Sequence, residues 1–296
     1  MNPIPATRTS ALRYLSCLRP QDILVLQGSP LLGAAFAIHH PGVREIAPLV
    51  ALLLGNAFLI THIFMLNDWA GLTTDLADPN KAAGVFTARG VGRREIGTLT
   101  IGLLIVSLWF FARISPITFG IALAIAILSA LYSLPLFDWK GKPLLSSLAH
   151  LSGGILHFLL GYSLRNHIDV RSVAIASFFA LVFAAGHLTQ EVRDHDGDAA
   201  SGIRTNAVRF GPRRTFAASL LLFTLANILF VVLALRGILP RPLAAVAVLH
   251  PMQLYWSFST LAGGLTYAGV SRLQTRYRAL YAGIGLAIVA ALFVAA

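Results

Sequence analysis

Long apolar stretches separated by short polar segments recur along nearly the whole chain. Each stretch has roughly 17 to 22 residues, about the length that an α-helix needs to cross 30 Å of hydrocarbon. Nine of them are recognisable, near residues 22–40, 47–66, 96–112, 117–134, 144–163, 171–188, 214–235, 242–261 and 277–295. The pattern predicts an all-α membrane protein, a bundle of nine transmembrane helices. Since no polar linker divides residues 1–296, we expect a single domain.

The composition agrees with this pattern. The chain is 56% hydrophobic and only 12% charged, with a mean hydropathy of +0.74, whereas soluble domains carry about 25% charged residues. The single cysteine, Cys17, excludes a disulfide framework and a cysteine-based zinc or iron–sulfur site. The segment Met1–Asp22 lacks the apolar core of a signal peptide, so we expect the first membrane helix itself to direct insertion.

The positive charge is distributed unevenly between the two sides of the predicted bundle. The net charge is +11, and 17 of the 23 Lys and Arg residues fall on the side that holds the N-terminus. That side also receives the loops near 67–95, 135–143, 189–213 and 262–276. The positive-inside rule places it in the cytoplasm, and we expect the inner (plasma) membrane of a bacterium or archaeon. The charge therefore indicates topology and attraction to membrane lipid, and no nucleic-acid partner is expected.

Acidic residues are concentrated in two of these cytoplasmic loops. Seven of the twelve lie between positions 68 and 78 or between 191 and 198. Carboxylates are costly this close to hydrocarbon, so their concentration there indicates a functional site. At helical pitch Asp68 and Asp75 share a face, as do Glu191, Asp194 and Asp198. Two such faces that converge on one cavity would bind Mg²⁺, and the metal would bind a polyanion such as diphosphate.

Four aspartates are the predicted catalytic residues: Asp68, Asp75, Asp194 and Asp198. The predicted metal ligands are these four together with Asn67 and Glu191. The alternative for the first motif is a solvated helix end whose acids cap neighbours or pair with basic residues. Asp78, which precedes Pro79, is interpreted as a turn residue, and Asp196 is expected to face solvent because it lies off the acidic face.

Cations and aromatic rings complete the predicted site. The candidate diphosphate-binding residues are Lys81, Arg89, Lys142, Arg193 and Arg204, each with an alternative role as a topology or headgroup charge. The candidates to line a carbocation are Tyr132, Phe64 and Phe158, since an aromatic face stabilises a cation by about 0.5–2 kcal/mol. Ordinary packing is the alternative for these rings. His150 and His157 are interpreted as packing residues, and His187 is a candidate partner of Glu191, one turn away.

The two acidic segments resemble the signature motifs of the UbiA superfamily of intramembrane prenyltransferases. Asn67-Asp68-x-x-Gly71-x-x-x-Asp75 is similar to the family's N-D-x-x-D-x-x-x-D, and Glu191-x-x-Asp194-x-x-x-Asp198 is similar to its D-x-x-D-x-x-x-D. The downstream Gly202-Ile203-Arg204-Thr205 and the Tyr132-Ser133…Pro135 segment also resemble the family pattern. Three departures stand out: Gly71 replaces the middle aspartate, Glu191 replaces an aspartate, and Leu136 replaces a frequent lysine.

This resemblance implies a helical bundle around a central cavity and an Mg²⁺-dependent prenyltransferase. The partners implied are an isoprenyl diphosphate and a small hydrophobic or aromatic acceptor that captures the allylic cation. A UbiA-type terpene cyclase, which acts on an isoprenyl diphosphate without a second substrate, is the alternative within enzymes. A transporter with acidic ion sites is the alternative from another class. It predicts ionisable residues near the middle of the membrane, whereas here they cluster at one face.

Overall fold

A computed structural model describes residues 10–38, 42–165 and 167–294, and within these ranges the fold is helical without β-strands. The helices are α1 (Ser10–Leu15), α2 (Pro20–Leu26), α3 (Gly28–Ala37), α4 (Val43–Ala70), α5 (Leu72–Ala77), α6 (Arg93–Ala112), α7 (Pro116–Ser133), α8 (Leu145–Tyr162), α9 (Val170–Ala200), α10 (Asn206–Phe210), α11 (Pro212–Leu235), α12 (His250–Ala262) and α13 (Tyr267–Val294). Short 3₁₀ segments cover Ala82–Gly84, Phe86–Arg89, Ser163–Arg165 and Arg241–Leu249.

Six helices of the described ranges are long and apolar enough to cross a membrane: α4, α6, α7, α9, α11 and α13. The chain is therefore an integral multi-pass membrane protein, but the predicted count of nine spans is not confirmed. The first predicted span is interrupted at Gln27, and the eighth is divided between the Arg241–Leu249 segment and α12. The fifth predicted span corresponds to α8, and polar residues of this helix, including His150 and His157, lower its hydropathy. The sequence also predicts a short turn at His40-Pro41-Gly42, of which His40 and Pro41 lie outside the described residues.

The interruption at Gln27 places a polar side chain inside the bundle, where α4 supplies its partners. Gln27 accepts a hydrogen bond from Asn56 Nδ2 at 2.8 Å and donates to the Leu53 carbonyl at 3.2 Å. Both side chains are buried, and Asn56 has no exposed surface. Asn56 Nδ2 and Gln27 Oε1 thus satisfy one another in the interior, where an unpartnered polar group is costly, whereas Asn56 Oδ1 has no hydrogen-bond partner among the described residues.

The two acidic motifs occupy different positions relative to their helices. Asn67 and Asp68 lie in the last turn of α4, which ends at Gly71, and Asp75 lies on the short α5 that follows. The sixth predicted span was expected to end near residue 188, but α9 continues to Ala200, so the second motif lies on the helix itself. Three carboxylates of this extension are buried with polar partners, which permits the helix to continue beyond its apolar part.

Helix α9 is central to the packing and contacts α8, α10, α11 and α13, while α4 packs against α6 and α7. The α3–α8 contact is particularly close, because Gly33 and Gly161 bring the two backbones together. This use of small residues is typical of membrane helix contacts. The arrangement brings the motif-bearing ends of α4 and α9 to the same end of the bundle, where α5 contacts α9.

Candidate active site

A cavity of about 220 Å³ opens at this end of the bundle. It lies between the α1–α2 junction, the end of α4, helix α5 and the 3₁₀ segments that follow. Its charged and amide-bearing lining residues are Arg19, Asp68, Asp75, Asn80, Lys81 and Arg89. Two carboxylates and three cations therefore share one small space beside hydrocarbon-spanning helices, a charge pattern suited to an anion that arrives with a divalent cation.

The first motif forms one wall of this cavity. Asp68 Oδ1 pairs with Arg19 Nη2 at 2.5 Å, and the Arg19 guanidinium also lies over the Phe64 ring, 5.2 Å from its centroid. Gly71 ends α4 and begins α5. A Cβ atom at this position would lie 3.0 Å from the Asn67 carbonyl oxygen and 3.5 Å from Asp75 Oδ2. The glycine thus permits a tight junction at the position where the family motif carries a third aspartate.

The second motif presents its carboxylates on one buried face of α9. Glu191, Asp194 and Asp198 are 4%, 9% and 5% exposed, as expected for side chains at i, i+3 and i+7. Asp196 is fully exposed and interacts with His195 Nδ1 at 2.8 Å, in agreement with the prediction that it faces solvent.

Lys81 connects the two motifs. Its Nζ atom lies 3.4 Å from Asp78 Oδ2, 3.5 Å from Asp194 Oδ2 and 3.9 Å from Asp198 Oδ1. Burial of the ammonium acts to lower the pKa of Lys81, but the surrounding carboxylates, Asp194 foremost, outweigh it and raise that pKa above its usual value. Lys81 therefore remains a cation and joins the loop after the first motif to the face of the second.

Asp78 belongs to this site although the sequence suggested only a turn. It does form the turn, since its Oδ1 accepts a hydrogen bond from the backbone N–H of Asn80 at 2.9 Å. It is also only 4% exposed and lies against Gly197 of α9, where a Cβ atom would overlap its carboxylate. A glycine three residues after Asp194 was the available signal, because it allows another chain segment to approach the helix.

Arg19 is the second functional candidate that the sequence did not reveal. It precedes Pro20 at the start of α2, 49 residues before its partner Asp68. No spacing rule links the two positions, and the candidate cations were sought in the loops near 67–95, 135–143 and 189–213. The predicted cation Arg89 does line the cavity, as Lys81 does.

Three predicted diphosphate-binding residues lie elsewhere. Arg193 is held by Asp194 in a bidentate pair at 2.7 and 3.0 Å, and its remaining nitrogen donates to Gln274 of α13 at 2.9 Å. Its guanidinium is therefore engaged away from the cavity lining. Lys142 is exposed and donates to the Phe137 carbonyl at 2.7 Å, and Arg204 is exposed without an ion pair among the described residues.

Glu191 differs from the two aspartates on its face because other side chains surround it. Its Oε1 atom accepts hydrogen bonds from Ser146 at 3.0 Å and Asn206 at 3.1 Å, and it lies 2.9 Å from His187 Nε2. Its Oε2 atom is buried and has no hydrogen-bond partner among the described residues. The longer arm of glutamate reaches this network between α8, α9 and α10, which accounts for the departure from the family's aspartate.

The three predicted carbocation-lining rings have different surroundings. Phe64 lies beside the cavity under Arg19. Tyr132 packs edge-on against His150, with ring centroids 5.0 Å apart. Phe158 has no exposed surface and packs against Phe36 and Phe179 in the hydrophobic core. The structure therefore gives Phe158 a packing position, without open space beside its ring.

The donor set suits Mg²⁺ in its chemistry. Asp78, Asp194 and Asp198 all lie within 3.9 Å of Lys81 Nζ, so three carboxylates share one ammonium group. Hard oxygen donors in excess of positive charge are what Mg²⁺ requires. Within the described ranges, however, no three Asp, Glu, His or Cys side chains lie close enough to hold a metal ion by themselves. An Mg²⁺ ion bound here would therefore be completed by water or by substrate oxygens, as is usual for Mg²⁺.

The chain is similar to members of a known protein family. A model of the UbiA prenyltransferase family matches residues 29–265. The chain is 29% identical over 230 residues to a lycopene elongase/hydratase of Haloferax volcanii, a match that covers 75% of this chain and 73% of the relative. It is 27% identical over 205 residues to a digeranylgeranylglyceryl phosphate synthase of Methanoregula boonei, covering 61% of this chain and 69% of that one.

The fold has solved counterparts. A UbiA homologue from Archaeoglobus fulgidus bound to DMAPP and Mg²⁺ superposes with a TM-score of 0.72 at 20% identity, covering 94% of this chain and 99% of the homologue. An apo UbiA homologue from Aeropyrum pernix gives a TM-score of 0.69 at 18% identity, with 94% and 98% covered. The family match extends over most of the chain and includes both acidic motifs. This protein is accordingly a member of the UbiA prenyltransferase family, an enzyme built into the membrane.

Proposed function

We propose that this enzyme ionises an isoprenyl diphosphate with the help of Mg²⁺ and transfers the prenyl group to a small hydrophobic or aromatic acceptor in the lipid phase. The observation that carries the proposal is the cavity in which Asp68 and Asp75 face Arg19, Lys81 and Arg89. Lys81 links that cavity to Asp194 and Asp198. Carboxylates for a metal and cations for a diphosphate therefore meet in one place at the membrane boundary.

The acidic and the basic residues of the site have different roles. Asp68, Asp75, Asp194 and Asp198 would hold the metal, and the amide oxygen of Asn67 is an additional donor. Arg19, Lys81 and Arg89 bind and orient the diphosphate. Bound Mg²⁺ would stabilise the negative charge that develops on the departing diphosphate oxygens. Glu191 is better explained as an anchor for neighbouring side chains, because Ser146, Asn206 and His187 surround its Oε1.

The related enzymes support an acceptor that is delivered from the membrane. One relative is named for the elongation of lycopene and another for the synthesis of a glyceryl phosphate lipid. We propose the same source here, with the cavity at the cytoplasmic face. Most of the basic residues are predicted for that face, where the positive-inside rule places them.

The direct test is incubation of the purified protein with dimethylallyl, geranyl and geranylgeranyl diphosphates and Mg²⁺, with and without acceptors. Lycopene, an electron-rich phenol and a glyceryl phosphate lipid are suitable probes. Turnover that requires both an acceptor and Mg²⁺ is the expected result. A cyclic hydrocarbon or terpene alcohol formed without acceptor would identify a terpene cyclase, and failure to bind any of the diphosphates would contradict the proposal.

The single cysteine gives a test of diphosphate binding that needs no acceptor. Cys17 lines the cavity beside Arg19 and Arg89. Burial raises the pKa of its thiol, so maleimide labelling should be slow at neutral pH and should accelerate as pH rises. At a fixed pH, geranyl diphosphate with Mg²⁺ at ten times its Kd should slow the labelling by roughly tenfold.

The matched control moves the cysteine to the other end of the bundle. Arg236 follows the last turn of α11 and is exposed. A Cys17→Ser/Arg236→Cys variant should label at the same rate with and without geranyl diphosphate. Equal protection of both positions would mean that the ligand acts on the membrane or the reagent and not on the cavity.

Substitution of Lys81, which lines the cavity, and of Arg204, which is exposed, tests which of these cations binds the diphosphate. Lys81→Gln removes the link between the motifs and should lower kcat/KM by about 10²-fold, the usual cost of losing one positioned charge donor. Lys81→Arg should recover part of the activity. Arg204→Gln should have little effect because Arg204 is exposed. Steady-state kinetics with size-exclusion profiles would test this, and equal losses in Lys81→Gln and Arg204→Gln would contradict the placement of the diphosphate.

A further inference from the structure

A group of imidazole and aromatic side chains lies beside the second motif and has no part in the diphosphate site. His187 and His150, from α9 and α8, stack with ring centroids 3.5 Å apart and an interplanar angle of 7°. Tyr132 of α7 packs edge-on against His150 at 5.0 Å, and Phe183 of α9 packs against it at 5.5 Å. Three helices thus contribute to one cluster.

The hydrogen bond of His150 determines which nitrogen of its ring carries a lone pair. His150 Nδ1 lies 2.8 Å from the Ser146 carbonyl oxygen, which can only accept, so Nδ1 donates and Nε2 is the free base. His187 Nε2 lies 2.9 Å from Glu191 Oε1, within ion-pair distance but without hydrogen-bond geometry. The pair therefore has a fixed orientation, with a basic nitrogen on His150 that no described side chain occupies.

This cluster lies beside the acidic face of α9, since His187 is one turn before Glu191 and 2.9 Å from it. Tyr132, His150 and Phe183 are each half-buried although their rings pack on one another, so each residue keeps some accessible surface. Tyr132 also packs edge-on against His187, with ring centroids 6.2 Å apart, and His187 lies 2.9 Å from Glu191, which places the cluster close to the second motif. A prenyl chain whose diphosphate is bound at these aspartates would have its first carbons near these rings.

We propose that His150 Nε2 takes up the proton that is released when the acceptor captures the prenyl cation. The proposal rests on the prenyl transfer proposed above. The C–O bond to diphosphate breaks and its electron pair leaves with the diphosphate, while a π-electron pair of the acceptor forms the new C–C bond. The acceptor then carries the positive charge. Its C–H bond breaks, the electron pair restores the double bond, and the proton moves to His150 as an imidazolium.

The neighbouring residues are suited to stabilise that imidazolium. Glu191 is a buried carboxylate that pairs with no Lys or Arg of the described ranges, and its Oε2 has no partner. Its negative charge is transmitted to the stacked pair through His187, which it also holds in place. His187 and Glu191 are thus positioning residues, and His150 is the group that meets the acceptor.

The first test asks whether His150 faces the substrate, and it needs no turnover. Diethyl pyrocarbonate should modify His150 at Nε2, with the site identified by mass spectrometry. Geranyl thiolodiphosphate with Mg²⁺ at ten times its Kd should slow this reaction by roughly tenfold. Exposed His167, 54% accessible, is the internal reference and should be unaffected. If the analogue binds calorimetrically but His150 and His167 react as before, only this inference fails. If the analogue does not bind, both the proposed function and this inference are wrong.

The second test separates loss of diphosphate from loss of the proton. With dimethylallyl diphosphate and lycopene as probes, His150→Ala should lower the coupled product by on the order of 10²-fold or more while diphosphate release continues, because a positioned base contributes about 10²–10⁴-fold. Added imidazole should restore product in His150→Ala. His157→Gln, seven residues further along α8, is the matched control and should keep release and transfer coupled.

A purely structural role for His150 makes different predictions. Release and transfer would fall together, imidazole would restore neither, and His150→Gln and His157→Gln would behave alike. That combination would overturn the assignment. Glu191→Gln provides an independent readout, since the affinity for Mn²⁺ followed by electron paramagnetic resonance should be retained while product formation falls. Loss of Mn²⁺ binding in Glu191→Gln would return Glu191 to the metal site and remove the support for the imidazole pair.

Discussion

Asp198→Asn and Asp194→Asn are each expected to lower prenyl transfer by at least on the order of 10³-fold while the protein remains folded. Both carboxylates are buried on the face of α9 that Lys81 joins to the first motif. The asparagine side chains keep the shape but remove the charge that a divalent metal requires. Turnover of radiolabelled prenyl diphosphate measures the loss, and Asp68→Asn should show it as well.

The control for this experiment lies between the two residues. Asp196→Asn changes the same functional group on the same turn of α9, but its side chain is fully exposed and directed away from the cavity. Activity close to that of the unmodified enzyme is expected for Asp196→Asn. If Asp68→Asn, Asp194→Asn and Asp198→Asn all retained near-normal turnover, the assignment of the acidic faces as the metal site would be wrong.

The Asp194 result needs one additional measurement, because Asp194 has two cationic partners. Arg193 holds it in a bidentate pair and Lys81 lies 3.5 Å away. Removal of one member of a buried pair leaves the other charge uncompensated and destabilises the fold. Thermal unfolding of each variant therefore accompanies the kinetics. Asp198 is free of this complication from Arg193, which makes Asp198→Asn the more direct test.

Helical periodicity alone was sufficient to predict which side chains of the second motif share a face. The i, i+3, i+7 spacing placed Glu191, Asp194 and Asp198 together and Asp196 outside, and the structure agrees. It did not predict the length of α9. A polar sequence such as Thr189–Ala200 has no apolar pattern, and it stays helical because its carboxylates find partners on other segments.

The contributions from distant segments were the part that sequence reasoning did not predict. Arg19 meets Asp68 across 49 residues, and Asp78 lies against Gly197 on another helix. Such contacts depend on how the helices are arranged, which the hydropathy pattern does not encode. Conversely, Phe158 was a reasonable ring to line a cavity until its position against Phe36 and Phe179 was known.

The α3–α8 contact should be as sensitive to substitution as the acidic site, but through folding and not through chemistry. A Cβ atom at Gly161 would overlap the carbonyl oxygen of Pro30 and lie 2.9 Å from the backbone nitrogen of Ala34. Backbone atoms cannot move aside as a side chain does. Gly161→Ala must therefore separate α3 from α8, and we expect a cost at or above the 1–3 kcal/mol that is typical of overpacking.

Gly120→Ala is the matched comparison because Gly120 also lies inside a helix, α7, but has no atom within 4 Å of a Cβ at that position. Alanine at such a site improves helix propensity by about 1 kcal/mol relative to glycine, so unchanged or slightly higher stability is expected. Thermal unfolding and the monodisperse yield in detergent distinguish the two variants. Because α8 carries both Ser146 and His150, Gly161→Ala should also impair catalysis at temperatures where the protein is still folded. Equal stability of Gly161→Ala and Gly120→Ala would show that the two backbones are not in close contact, and the positions assigned to Ser146 and His150 through α8 would then need revision.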